Sequence, residues 1–196
     1  MYTWNHSIYQ LHISMEEIEP QIWRRILVPK TTTLWRFHKM LQALFGWHDS
    51  HLHQFEVGEI VFGMEYTDPD DDYTIGYSRV TLGKVLKSIG NSMLYTYDFG
   101  DEWEVTIVLE KMFEKDPDVI YPVCLEGKRA GPPEDSGGPH GFMNLLEILS
   151  NPKHEDYKLY KRGLAGKYDQ EAFDLERIDK KMKSAANRKI PKYMEF

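Results

Sequence analysis

Among 196 residues there is a single cysteine, Cys124. One thiol cannot build a disulfide framework, and a reducing, cytoplasmic setting is the expectation. Long apolar runs are also missing. The longest span a few residues, far short of the roughly 20 that a membrane-crossing helix needs. The segment Met1-Tyr2-Thr3-Trp4-Asn5-His6 lacks a basic stretch followed by an apolar core, so no secretory signal is expected. There is no P-loop, no dinucleotide-binding glycine triad, no His-Glu-x-x-His and no Gly-x-Ser-x-Gly, which disfavours most common cofactor enzymes. Positive charge is the minority sign, with 24 Lys/Arg against 31 Asp/Glu. A protein gripping phosphates with its whole surface would show the opposite balance.

What is present suits one packed domain. A content of 41% hydrophobic and 28% charged residues is that of a globular chain, and the length suffices for one well-buried core. Charge is unevenly spread: from Arg177 to Phe196 seven Lys/Arg accompany only Asp179 and Glu195. That stretch, with a basic tail at about 184–196, reads as a solvated helix face with a frayed end, or as the one place where nucleic acid would touch.

Tyr9 to Met15 alternates apolar and polar residues, the period of a half-buried strand, and Ile22 to Val28 reads as a second strand stopped by Pro29. Thr31 to Thr33 offer N-cap hydroxyls. Leu34, Phe37, His38, Leu41, Leu44 and Phe45 then follow at helical spacing, with Gly46 as the residue past the end. Short strands are expected at Leu52–Val57 and Ile60–Phe62 around Gly58, and a short helix over Thr81–Lys87. Met64 to Tyr73 carries five carboxylates without EF-hand spacing, and is read as an acidic surface loop. Tyr121 to Gly141 reads as a long proline- and glycine-rich loop. Helices are expected after it from Phe142 to Leu149, at about His154–Arg162, and at about Glu171–Ala186.

The segment from Met93 to Leu109 predicts a hairpin. Met93, Tyr95, Tyr97 and Phe99 alternate on one strand; Trp103, Val105, Ile107 and Leu109 alternate on the next. A two-residue loop at Gly100-Asp101 would mix the faces. A three-residue loop, Gly100 to Glu102, pairs Phe99 with Trp103 and Tyr97 with Val105, and places Asp98 opposite Glu104. The whole chain is thus expected to be a single α+β domain over residues 1–196, with a mixed, mostly antiparallel sheet and flanking helices.

Several motifs occur in a fixed order: Pro20-Gln21-Ile22-Trp23-Arg24-Arg25 with Val28-Pro29; Gly46-Trp47 with His51-Leu52-His53; Tyr97-Asp98-Phe99-Gly100-Asp101 with Trp103; Tyr121-Pro122 with Cys124; and Pro132-Pro133-Glu134-Asp135 with Gly137-Gly138. Together they resemble the Ri-plasmid ORF-3-like family, found on plasmids, beside mobile elements and in many bacterial and archaeal chromosomes. The resemblance covers about residues 8 to 183. It implies an α+β domain with a mixed sheet and implies little about activity. A serine recombinase, suggested by a label some members carry, needs a nucleophilic serine set among arginines, and Ser7 and Ser14 lack that setting. Many relatives have cysteines where this chain has Gly131 and Ser136, so a thiolate metal site cannot form here from Cys124 alone.

His51 and His53, two apart on an expected strand, would share one face about 6–7 Å apart and so reach one metal. Asp98, Asp101, Glu134 or Asp135 would complete a mixed nitrogen and oxygen set suited to zinc or manganese, with a position left open. Alternatively the two histidines are structural, bonding the carboxylates of the hairpin and the loop. His48 falls outside the family pattern and is expected to be exposed. Arg24 and Arg25 must face opposite ways. One is expected to pair with Asp98 or Glu104. The other, with Tyr97 and Trp103, is a candidate for binding an anionic ligand, although those two aromatics equally suit the core.

The functional expectation is a cytosolic binding or adaptor domain whose polar His/carboxylate site recognises a small ligand, a metal or a protein. The alternative is a metal-dependent hydrolase or nuclease in the same site, with a spare carboxylate as general base.

Overall fold

The computed structural model describes residues 7–63, 74–164 and 168–189. The acidic segment Met64 to Tyr73 and the end of the basic tail, 190–196, lie outside the described residues. Among the described residues eight strands run in chain order as β1 (Ile8–Met15), β2 (Trp23–Pro29), β3 (His53–Val57), β4 (Ile60–Gly63), β5 (Thr74–Gly76), β6 (Ser92–Tyr97), β7 (Trp103–Phe113) and β8 (Val123–Lys128). They form one open sheet ordered β5-β4-β3-β6-β7-β1-β2-β8. Every pairing is antiparallel except β4 with β5. Among the described residues five helices accompany it: α1 (Leu34–Phe45), α2 (Leu82–Val85), α3 (Gly138–Ser150), α4 (Tyr157–Gly163) and α5 (Leu175–Ala186). The protein is therefore α+β, as its patterning predicts. No helix among the described residues is long and apolar enough to cross a membrane.

The first helix forms where its signals lie. The Thr33 hydroxyl accepts from the Arg36 amide, and Gly46 takes a left-handed conformation at φ 84° to close the far end. The buried side of α1 meets the inward residues of β3 and β6, with Phe37 near Phe55 and His38 near Tyr95. Along β2 burial alternates strictly, so Arg24, Ile26 and Val28 point inward while Trp23, Arg25 and Leu27 do not. Helix α5 turns Met182 and Ala185 inward and covers the outer strand, where the Asp179 carboxylate accepts the Cys124 amide. That bond occupies one donor of an edge that would otherwise be open to pairing.

Two expectations are corrected. The hairpin pairs Tyr97 with Trp103, Tyr95 with Val105 and Met93 with Ile107, two residues out from the three-residue-loop register. The cause is Asp98, whose carboxylate accepts the Gly100 and Asp101 amides while its carbonyl accepts the Glu102 amide. Asp98 therefore belongs to the turn rather than the ladder, with φ 59°, and Thr96 rather than Asp98 faces Glu104. The same alternate residues stay buried, but Phe99 is expelled to the surface. Secondly, the proline-rich stretch after Tyr121 is not all loop: Val123–Lys128 forms β8 against β2.

Candidate functional site

Three loops meet at one end of the sheet: the segment 46–52 between α1 and β3, the hairpin turn 98–102, and the segment 129–137 before α3. Glu134 is the pin. Its carboxylate accepts the Tyr97 hydroxyl at 2.5 Å, the His48 amide at 2.7 Å and the Ser50 hydroxyl at 3.3 Å, and lies 2.9 Å from His48 Nδ1. Burial alone would raise the Glu134 carboxyl, but the bonds from Tyr97 and His48 outweigh it and hold it below the usual range. Burial, with the Glu134 carboxylate beside it, pushes the Tyr97 hydroxyl upward, which keeps it a donor. The Trp47 indole N–H donates to the Pro132 carbonyl. Asp101 accepts the Gly137 amide at 3.1 Å, and a Cβ on Gly138 would come within 2.2 Å of the Asp101 carbonyl, so backbone contact there requires glycine. Gly131 is held likewise: a Cβ would lie 2.1 Å from the Phe45 carbonyl. The chain's own packing therefore favours glycine at position 131.

At the rim of this junction His51 meets two carboxylates. Its Nδ1 lies 3.4 Å from Asp98 and its Nε2 lies 3.2 Å from Asp135. One ligand atom from each of the three residues lies within 4.8 Å of the other two. Exposure rises across the set, with side chains 13% accessible at Asp98, 28% at His51 and 77% at Asp135, so the cluster opens to solvent on the Asp135 side. Leu52 and Phe99, chain neighbours of His51 and Asp98, are both exposed, and the Asp98 amide donates to the Leu52 carbonyl.

His53 is not on that face. Strand β3 begins at His53, so strand alternation does not extend back to His51, and the two side chains diverge. His53 is buried and stacks on His38 with ring centroids 3.4 Å apart and planes 2° from parallel. Its Nε2 lies 3.0 Å from the Tyr77 hydroxyl. The partners of His38 set its tautomer. Gln42 donates to the Tyr95 hydroxyl, which leaves that hydroxyl to donate to His38 Nδ1 at 2.8 Å, while Nε2–H donates to Asp49 at 2.5 Å. Asp49 also receives Lys39, and its amide donates to the Gln42 side chain. Burial holds the His38 imidazole down at about 4, against the pull of Asp49, and burial lowers His53 further still. Both rings are neutral near neutral pH. For Asp49, burial pushes upward but His38 and Lys39 prevail, so it remains a carboxylate.

The arginines separate as their alternation requires but choose other partners than expected. Arg24, 1% exposed, spends its guanidinium on the carbonyls of Trp23, Leu44, Lys128 and Arg129. Arg25 lies on the opposite face with Glu110 and Glu126. Neither reaches Asp98 or Glu104, because the hairpin turn lies at another part of the sheet. Tyr97 and Trp103 are core aromatics, 0% and 1% exposed. Sequence reasoning named His38 as part of the helix's inward stripe without giving it polar work; a histidine on an apolar stripe was the available signal. Gln42, Asp49 and Tyr77, which complete the network, carried none.

An open, mostly antiparallel sheet backed by helices, with three loops locked by a half-buried glutamate and a solvent-facing histidine–carboxylate cluster, defines a small α+β domain. The chain matches the plasmid pRiA4b ORF-3-like proteins over residues 7–177 and belongs to that family. It is 38% identical over 153 residues to uncharacterized protein y4hQ of Sinorhizobium fredii, covering 76% of each chain. It is also similar to the crystal structure of a protein of unknown function, MM3350, from Methanosarcina mazei Go1. There the identity is 39% and the TM-score 0.79, covering 86% of this chain and 96% of that one. Neither name assigns an activity.

Proposed function

We propose that this chain is a binding or adaptor domain that holds a divalent cation, zinc or manganese, at His51, Asp98 and Asp135. The cation's open positions, beside exposed Leu52 and Phe99, engage a small ligand or a partner protein. The observation that carries this reading is the approach of one imidazole nitrogen and two carboxylate oxygens to within 4.8 Å of one another on a solvent-facing rim. A hydrolase would in addition need a spare carboxylate beside the ion. Glu134 is occupied by Tyr97, His48 and Ser50, and Asp101 by the Gly137 amide, which favours binding over catalysis.

Calorimetric titration of metal-free protein with zinc and with manganese tests the proposal. About one equivalent should bind, and His51→Ala or Asp135→Asn should weaken it at least about tenfold. Wild-type affinity retained in both variants, or no heat with either ion, would overturn it.

A further inference from the structure

A second surface lies away from the cation cluster, between α1 and α5. On α5 Arg177, Lys181 and Ser184 fall at helical spacing on one stripe, and Arg188 follows just past the helix end. The facing stripe of α1 is Lys39, Gln42, Ala43 and Gly46. Two cavities of about 400 and 340 Å³ run between the stripes and share Ala43, Gly46 and Lys181, so they form one continuous groove. Pro132 and Pro133 wall one end and His48 lies near the other.

Positive charge outweighs negative in the groove once internal pairs are set aside, with the Asp174 carboxylate the one unpaired anion among its described lining residues. Lys39 is paired with Asp49, and the Asp174 carboxylate accepts the Arg177 amide as the cap of α5. Lys183 pairs with Asp179 on the other flank of the helix, at 2.7 Å. Arg24, at the floor, spends its donors on four carbonyls. Arg177, Lys181 and Arg188 are exposed and make no ion pair among the described residues. In a chain of net charge −7, three exposed cations along one stripe, offset only by Asp174 at one end, are a local reversal.

We infer that this groove binds the phosphate backbone of a nucleic acid without reading its sequence. Arginine and lysine supply phosphate contacts, and such interfaces are polar and positive. The aromatic residues lining the groove, Phe45, Trp47 and Tyr168, are buried or half-buried, so no exposed aromatic stacks a base. The exposed large apolar side chains lie elsewhere on the described surface, at Leu52, Ile60, Phe99, Ile120 and Leu159 among others. An acidic polypeptide would want exposed apolar or aromatic anchors, which carry most protein–protein binding energy, whereas the large apolar residues lining this groove, Phe45, Trp47, Leu164, Tyr168 and Ile178, are buried or half-buried.

Anisotropy of a fluorescein-labelled oligonucleotide, single-stranded and duplex, mixed with the full-length protein provides the test. Binding at low salt should fall with a log–log salt slope of about −3 on the duplex and about −2 on the single strand, one contact for each free cation. Replacing Arg177, Lys181 and Arg188 together by Glu should weaken it at least about 30-fold. A charge-matched control, Lys111, Lys115 and Lys153 to Glu, should cost no more than about threefold. The neutral variant Lys181→Gln should reduce the slope by about one. Equal losses in groove and control variants, no binding by the wild type at low salt, or displacement of the oligonucleotide by polyglutamate at equal charge would each overturn the inference, the last by assigning the groove to an acidic polypeptide.

Discussion

His51 and His53 stand two residues apart and do opposite work. His51 sits on a rim with Asp98 and Asp135, partly open to water. His53 lies in the core, stacked on His38, and is held neutral by burial. Proximity in sequence gave no guide to shared chemistry here, because the strand begins between them and reverses where the side chains point. The buried pair belongs to a network of Gln42, Asp49, Tyr77 and Tyr95 whose geometry is fixed by partners on several elements. Its role is to hold α1 to the sheet. The surface residue is the one proposed to hold a cation.

The comparison breaks most visibly in stability. His38→Ala would empty a core site and strip Asp49 and Tyr95 of a partner, so chemical denaturation should show a loss of about 3 kcal/mol or more. Next comes acid. His38 and His53 have folded-state values below the unfolded value of about 6.5, so below that pH the unfolded chain takes up protons that the native one refuses, and stability falls. For His38, held at about 4, the loss between about pH 7.5 and about pH 5 should be about 2 kcal/mol. Melts across that range should flatten in His38→Gln; an unchanged slope would mean the ring is not buried neutral. The smallest effect belongs to His51→Ala, which removes exposed partners and should shift metal-free stability by no more than about 0.5 kcal/mol.

Much of the frame was legible in the chain. The caps and stripe of α1, the opposed faces of Arg24 and Arg25, and the buried set Tyr95, Tyr97, Trp103, Val105 and Ile107 follow from periodicity alone. The hairpin register was not legible, because the Asp98 side chain caps the turn amides and draws Asp98 and Phe99 into the loop, lengthening it by two residues on the β6 side. Strand β8 was hidden in a proline-rich stretch, since it owes its order to β2 and to the Asp179 bond from α5. Of the residues proposed as ligands, His51, Asp98 and Asp135 come together in space. Asp101 and Glu134 lie close by but are spent on holding loops, and His53 turns inward. Such outcomes depend on contacts between distant elements, which spacing cannot report.

The division between the two histidines is tested most directly by long-range proton–nitrogen NMR of the imidazole rings during a zinc titration. The account predicts that the His51 ring nitrogens shift and reach saturation at about one equivalent, while those of His38 and His53 keep their neutral, metal-free positions. A shift at His53 in step with His51, or none at His51, would contradict it.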